Sequence, residues 1–302
     1  MDYAIVDLGS NTVRLSIYGY ENDEIKTIFK QKELAGLAQY VKNEKLEEEG
    51  IQKACDVIIG FKETATKFVP NENIHVFATA SLRNINNRDE SIRRINQQTN
   101  LAVDVLGGEE EAELDFIGAS YFTASDSGLL IDIGGASTEL VRFENSKPMQ
   151  LISLPIGSLN LSSKYVSWVL PNKSERKAIK RAVKDELTTL DWESNCPVML
   201  GVGGTLRAAL KLSQQLFSPL QDENSFLAEN VGKMLRMLQK NENGLYQIIY
   251  KTIPERLITI TPGLIILKEV IKRFGCETIT VSKYGVREGY LLSRVLKVGG
   301  SK

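Results

Sequence analysis

The sequence predicts an α/β protein with two domains. Segments with the composition of strands alternate along the chain with helices whose apolar residues recur every three or four positions. At 302 residues the chain is long enough for two hydrophobic cores. One strand–loop–strand pattern occurs twice, at residues 3–15 and again at 128–140. We therefore expect two domains, 1–124 and 125–302, with the boundary in a small, polar segment at 121–127.

The duplicated pattern predicts a pair of phosphate-binding hairpins. In each copy an apolar run ends in Asp, an aliphatic residue and Gly, and a second apolar run follows a few small polar residues. Such a turn brings backbone N–H groups and hydroxyls close to a ligand, and Asp7 and Asp132 could hold a metal, a water or a phosphate-bound cation. Ordinary Gly-rich hairpins are the simpler alternative, but equal length and the shared Asp favour a clamp. The predicted phosphate-binding residues are Gly9, Ser10, Asn11 and Thr12 in the first loop, and Gly134, Gly135, Ala136, Ser137 and Thr138 in the second.

Composition excludes several classes of partner. The net charge of −1 argues against a nucleic-acid-binding protein and against a polybasic membrane protein. The longest apolar runs are too short to span a bilayer, and no basic-then-apolar signal is recognised at the start. Three widely separated cysteines form no disulfide framework, which favours a reducing compartment. The expected location is the cytoplasm, with no nucleic-acid and no membrane partner.

The single histidine narrows the chemistry. His75 lies inside a predicted strand, so we expect a core or strand-edge residue rather than a catalyst or a ligand of zinc or iron. Any metal should be a hard cation held by oxygen atoms, Mg²⁺ or Mn²⁺. Catalysis would then depend on carboxylates.

Three further segments carry candidate site residues. A strand runs into a small polar turn with Ser81 and Arg83, and this Arg is equally suited to phosphate recognition or to a plain surface position. The acids 109–111 open a helix, where the macrodipole stabilises them; the functional alternative is that one of them is a general base. A third segment opens a helix directly after a strand, where N–H groups are free to bind an anion, although the pattern alone is unspecific. That segment consists of Gly203, Gly204 and Thr205.

The remaining elements follow from periodicity and turn signals. Predicted strands lie at 16–20, 25–29, 74–78, 103–106, 198–200 and 278–282. Predicted helices lie at 44–68, 86–98, from 109, from 160, at 173–190, after 203, at 226–250, at 264–274 and after 285.

These motifs, in this order, resemble the exopolyphosphatase and guanosine-pentaphosphate phosphohydrolase family. That family belongs to the superfamily of actin, the sugar kinases and the heat-shock chaperone ATPases. The resemblance covers nearly the whole chain. The matching segments are 7–12, 78–83, 108–112, 132–140, 155–157, 203–205, 262–263 and 285–289.

The resemblance implies two ribonuclease-H-like domains with the active site in the cleft between them. By this similarity Glu111 matches the catalytic base and Arg83 a phosphate-binding arginine, while Asp132 and Glu139 match acids near an essential Mg²⁺, and Asp7 is the corresponding acid of the first loop. The implied reaction is attack of water on the terminal phosphate of linear polyphosphate. The alternative substrate is guanosine pentaphosphate (pppGpp).

Two departures from the family pattern stand out. Ala136 occupies a position where the family usually has a third Gly, and the chain ends where long members continue, which suggests a short, two-domain member. A non-hydrolytic nucleotide-binding scaffold and a sugar or acetate kinase of the same superfamily stay open as alternatives. The sequence leaves the oligomeric state open, a homodimer included.

Overall fold

The computed structural model describes residues 1–123, 125–240 and 244–298. The chain packs into two compact units: Met1–Glu111 together with the C-terminal segment from Tyr290, and Ala112–Gly289. This division falls within a helix and not at the predicted boundary, 124/125, whose residue 124 lies outside the described residues. The division into domains 1–124 and 125–302 stays a prediction.

The first unit contains a five-stranded sheet backed by helices. The strands of this sheet are β1 (Asp2–Leu8), β2 (Val13–Glu21), β3 (Glu24–Glu33), β6 (Ile74–Ala78) and β7 (Val103–Val105). Two short strands, β4 (Val41–Lys42) and β5 (Lys45–Leu46), form a separate pair. The helices of this unit are α1 (Glu48–Ala65), α2 (Ala80–Arg83) and α3 (Arg88–Thr99). The sheet order is β3-β2-β1-β6-β7, with β1, β2 and β3 antiparallel and β6 and β7 parallel to β1.

Helix α4 (Gly108–Phe122) leads into the second unit, which has a six-stranded sheet. Its strands are β8 (Gly128–Ile133), β9 (Thr138–Glu144), β10 (Lys147–Leu154), β11 (Val198–Val202), β12 (Ser225–Leu227) and β13 (Thr278–Val281). Its helices are α5 (Ser158–Tyr165), α6 (Lys173–Leu187), α7 (Gly203–Leu216), α8 (Glu229–Lys240), α9 (Leu245–Thr252), α10 (Ile260–Phe274) and α11 (Val286–Tyr290). A π-helical turn, Leu291–Leu296, continues the chain back in the first unit.

The two sheets share one plan. The second has the order β10-β9-β8-β11-β13-β12, so each sheet begins with an antiparallel three-strand meander, and parallel strands follow its first strand. Strand β12 is an addition, paired antiparallel with β13 at the edge. This confirms the predicted α/β class with two ribonuclease-H-like units. The cleft stays a prediction.

Each unit is held by its own apolar core. In the first, α1 packs Ile51, Ile58 and Phe61 against the face of the sheet that carries Val6 and Leu15. A larger cluster in the second unit joins strands β8 and β11 to helices α6, α7 and α10. No helix in the described residues is long and apolar enough to cross a membrane. The three cysteines are buried and free, and burial raises the pKa of the Cys276 thiol to about 12.

Most predicted elements are present, and three differ. The helix predicted over 226–250 is wrong: strand β12 comes first, and helices α8 and α9 follow, with 241–243 outside the described residues. The polar turn after β6 contains the one-turn helix α2, and α10 begins at Ile260 rather than at 264. His75 is a half-buried residue of β6, as expected, and burial lowers its pKa.

Helices α4 and α11 cross at glycines. A Cβ at Gly118 would overlap the carbonyl oxygen of Gly285, and a Cβ at Gly289 would overlap the carbonyl oxygen of Leu114. The two backbones therefore approach more closely than any larger residue permits. Asp115 accepts a hydrogen bond of 2.7 Å from the Val286 N–H, which fixes the start of α11 against α4.

We expect Gly118→Ala to lower the free energy of unfolding by about 3 kcal/mol, the upper part of the usual range for overpacking, because the obstructing atoms are backbone. Thermal melting measures the loss. The matched control is Gly60→Ala at an exposed position of α1, where a Cβ meets nothing within 4 Å; it should raise stability by about 0.5–1 kcal/mol. Equal melting of the two variants would contradict the proposed close crossing.

Candidate functional site

The two loops of the duplicated pattern have the same geometry. In the first hairpin Leu8 pairs with Val13, and in the second Ile133 pairs with Thr138, so each loop contains four residues. Thr138, predicted as a loop residue, is the first residue of β9, and its hydroxyl donates to the carbonyl of Ile156. The duplication seen in the sequence is therefore a duplication of hairpin register and loop length.

Neighbouring segments hold the carbonyl groups of both loops. In the first loop, the Ser10 carbonyl accepts from the Ala38 N–H at 2.8 Å, and the Asn11 carbonyl accepts from the Gly36 N–H at 2.9 Å. In the second, the start of α5 performs this task. The Gly134 carbonyl accepts from the N–H and hydroxyl of Ser158, the Gly135 carbonyl from the N–H groups of Leu159 and Asn160, and the Ala136 carbonyl from the Asn160 amide.

The N–H groups of the same loops stay available. Within the described chain, the backbone N–H groups of residues 10–12 and 135–137 donate no hydrogen bond. Three successive N–H groups without an acceptor, on a loop whose carbonyls are tied elsewhere, are a donor set that can bind phosphate and other anions. Each loop is thus prepared to receive an anion.

Two hydroxyls predicted as phosphate ligands are engaged in supporting the loops. The Ser81 hydroxyl donates to the carbonyl of Leu8 at 3.0 Å, and the Thr205 hydroxyl donates to the carbonyl of Ile133 at 2.8 Å. Each accepting residue is the last of a strand, directly before its loop, and each donor lies on the helix that follows the neighbouring parallel strand. These equivalent bonds fix where the two loops leave their sheets.

The glycines at the start of α7 make room for two charged side chains. Gly203 has φ +78°, and a Cβ there would overlap the Asp132 carboxylate; a Cβ at Gly204 would overlap the Arg256 guanidinium. Asp132 and Arg256 therefore both lie against this helix start. Arg256 belongs to a short 3₁₀ turn, Pro254–Arg256, and was not among the predicted site residues, because no local sequence pattern links that turn to residue 204.

Arg83 and Glu111, predicted separately, form an ion pair. Arg83 Nη1 donates to Glu111 Oε2 at 2.7 Å and also to the Leu106 carbonyl at 3.2 Å. Glu111 is 9% exposed, at the first turn of α4. The preceding acid, Glu110, accepts instead from the Gly107 N–H at 3.0 Å and pairs with Arg294, so it serves the end of the helix. Of the two acids, only Glu111 contacts a predicted phosphate ligand.

The two loop acids have different partners across the hairpin. Asp7 lies opposite Arg14, and their side chains pair at 3.5 Å. Asp132 lies opposite Glu139, which is 1% exposed and accepts from the Ser153 hydroxyl at 2.7 Å. Two neighbouring carboxylates favour a cation between them, while Arg14 already neutralises Asp7.

The residues present fit a hard cation only in part. Among the described residues, no group of three or more His, Cys, Asp or Glu side chains could hold a metal ion. Mg²⁺ is bound in many proteins through one or two carboxylates, with water and substrate phosphates completing the shell. Asp132 and Glu139 suit that mode, and Asp7 suits it less because of Arg14. The metal stays a prediction.

The Thr205 bond to Ile133 can be tested by substitution. We expect Thr205→Val, which keeps the shape and removes the hydroxyl, to leave a buried carbonyl unpaired, to lower stability by about 1–3 kcal/mol and to weaken binding of a phosphate analogue. Thr205→Ser retains the donor and is the matched control. Melting and calorimetric titration measure both effects; a Val variant that binds like the Ser variant would refute the supporting role.

Comparisons with known proteins agree on one family. The model of the Ppx/GppA phosphatase family matches residues 16–298. A bifunctional 3-dehydroquinate synthase/phosphatase of Fusobacterium nucleatum is 30% identical over 309 residues, which cover 97% of this chain and 46% of that relative. A guanosine-5'-triphosphate,3'-diphosphate pyrophosphatase of Aliivibrio fischeri is 30% identical over 301 residues, 95% of this chain and 58% of the relative. The chain spans about half the length of these curated relatives.

Solved structures agree with the fold. A crystal structure of an exopolyphosphatase from Cytophaga hutchinsonii has a TM-score of 0.84 at 23% identity, with all of both chains covered. A Ppx/GppA family member from Aquifex aeolicus has a TM-score of 0.81 at 24% identity and covers 100% of this chain and 99% of its own. At these identities the likeness concerns the fold. Together with the match of the family model over most of the sequence, it leads to one conclusion: the chain belongs to the Ppx/GppA phosphatase family.

Proposed function

We propose that the protein hydrolyses the terminal phosphoanhydride bond of linear polyphosphate and releases inorganic phosphate. The observation that carries this proposal is the pair of loops with free N–H groups at 10–12 and 135–137. Two such loops suit a chain of phosphates better than a single anion. Family membership supports the reaction class, and the Cytophaga hutchinsonii structure is that of a protein described as an exopolyphosphatase.

pppGpp is the second candidate substrate. The Aliivibrio fischeri relative is named for hydrolysis of that nucleotide. Both substrates present a terminal anhydride bond, and the loops would bind either in the same way. The choice depends on contacts beyond the terminal phosphates.

The charge that develops on the phosphoryl oxygens must be neutralised. In this proposal the N–H groups of both loops and the Arg83 guanidinium supply the donors, and Arg256 adds a positive charge at the start of α7. When bound at Asp132 and Glu139, Mg²⁺ would supply further neutralisation of the phosphate oxygens. No nucleophilic side chain is needed.

Glu111 is the proposed general base. Its carboxylate would accept a proton from the water that attacks the terminal phosphorus, and Arg83 holds the carboxylate in place through Oε2. A guanidinium has five N–H donors arranged in a fork, a geometry that suits phosphate as well as carboxylate, so Arg83 is also the proposed phosphate ligand. Arg83 would thereby hold the general base Glu111 at a fixed position relative to the terminal phosphate.

Glu111→Gln should lower kcat by about 10²–10⁴-fold, the range for loss of a positioned base, while substrate binding persists. The neighbouring Glu110→Gln is the matched control, because Glu110 serves the helix end and Arg294. Phosphate release and equilibrium binding of tripolyphosphate are measured for both variants. Near-normal turnover of Glu111→Gln would remove this residue from the mechanism, and loss of turnover in the control alone would move the base to position 110.

The function itself is tested by release of phosphate from tripolyphosphate, long-chain polyphosphate and pppGpp, with Mg²⁺ and no acceptor. We expect release from at least one substrate, loss of activity with a chelator, and recovery on addition of Mg²⁺ or Mn²⁺. A kinase would need an acceptor, and a nucleotide-binding scaffold would release little. Full activity in excess chelator after dialysis would exclude the cation from the reaction.

A homodimer and a cytoplasmic location stay predictions; analytical ultracentrifugation tests the first.

A further inference from the structure

One face of the first sheet carries an unusual set of cations beside the first loop. In the β1–β2–β3 register, Asp7 lies opposite Arg14, and Arg14 lies opposite Lys32. One row further, Ser16 on β2 lies opposite Lys30 on β3. Side chains opposite one another, or two positions apart along a strand, share a face of the sheet. These two rows therefore bring three cations and one carboxylate onto one face.

This basic face, formed by Arg14, Lys30 and Lys32, is accessible. Both lysines are exposed, and the Arg14 side chain is 26% exposed. The opposite face of the same strands carries Leu15 and packs on the core with α1. The basic face thus has no part in that core.

Arg14 and Lys32 lie directly opposite one another across the β2–β3 pair. The second hairpin, built on the same plan, shows that the fold does not require cations at these positions. Its equivalent positions are Glu139 and Ser153 in the first row and Val141 and Leu151 in the second, without a cation. The basic face is therefore specific to the first hairpin.

The basic face begins where the first loop ends. Val13 is the first residue after the loop whose N–H groups at 10–12 are available, and Arg14 comes next in β2. Neighbouring strands lie about 4.8 Å apart, and residues two positions apart along a strand about 6.6 Å apart. The three cations therefore extend over about 10 Å from the loop across the edge of the sheet. This is a track for an extended polyanion and not a pocket for one compact anion.

We propose that Arg14, Lys32 and Lys30 form a subsite for the inner phosphates of linear polyphosphate, beyond the terminal phosphates held by the loops. The inference rests on the proposed function and names polyphosphate as the substrate it favours. Arg14 then has two partners, Asp7 at the loop and the passing chain. The lysines add attraction that depends on chain length and falls with ionic strength.

The test compares the double variant Lys30→Gln/Lys32→Gln with the parent and with Lys26→Gln/Lys45→Gln. The control removes the same charge. Lys26 lies on β3 opposite Gly19, hence on the other face, and Lys45 lies on the separate strand β5; both are exposed. KM and kcat are measured for tripolyphosphate, long-chain polyphosphate and pppGpp at low and high salt. Calorimetric titration of long-chain polyphosphate into each protein adds a measurement that does not depend on turnover.

We expect the Lys30/Lys32 variant to raise KM and Kd for long-chain polyphosphate by about 3- to 30-fold at low salt, the summed effect of two exposed charge contacts. The effect should be several-fold smaller for tripolyphosphate and for pppGpp, and kcat should change little. The control variant should resemble the parent.

Three outcomes would overturn the subsite. They are unchanged affinity for long chains, an equal loss in the control variant, and an equal rise of KM for pppGpp, which would assign the face to the nucleotide. Absence of phosphate release from the parent with every substrate would refute the proposed function instead. The titration would then still decide whether the basic face binds polyphosphate.

Discussion

The structure of the site depends on the fixation of the loop carbonyls. A Gly-rich loop binds an anion only if its N–H groups turn outward, and the opposed carbonyls must then be satisfied elsewhere. Here separate segments supply those donors: residues 36–38 for the first loop and the start of α5 for the second. Ser81 and Thr205 add a bond to the residue before each loop. The exposure of the loop N–H groups as donors therefore depends on tertiary structure and not on loop sequence alone.

The two loops of the duplicated hairpins differ in the charged side chains that surround them. The acid of the first loop pairs with Arg14, so its negative charge is neutralised within the hairpin. The acid of the second lies opposite a further carboxylate, Glu139, and both Asp132 and Arg256 lie against the start of α7. The two hairpins thus share their register and loop length but differ in the charged side chains around each loop.

Sequence patterns predicted the features that are encoded within short segments of the chain, but not the contacts between distant segments. The two hairpins, the carboxylate at the start of α4 and the strand position of His75 follow from patterns within short segments, and the α/β class follows from the order of such segments along the chain. The helix expected over 226–250 was wrong because β12 has three residues, too few for an alternation to show, and forms only by pairing with β13. The ion pair of Arg83 with Glu111 and the place of Arg256 join distant segments, and composition carries no signal for such contacts.

The glycines of the loops and those at the start of α7 are required for different reasons. A Cβ at Gly9 would lie 2.8 Å from the Thr12 carbonyl oxygen, and one at Gly134 would lie 3.2 Å from the Ser137 carbonyl oxygen. Both obstructions belong to the loop's own backbone, so the turn alone favours glycine there, and more strictly at Gly9. At Gly203 and Gly204 the obstruction is instead a charged side chain, Asp132 or Arg256. The helix-start glycines thus identify the site more directly than those of the loops, although the loops carry the clearer sequence pattern.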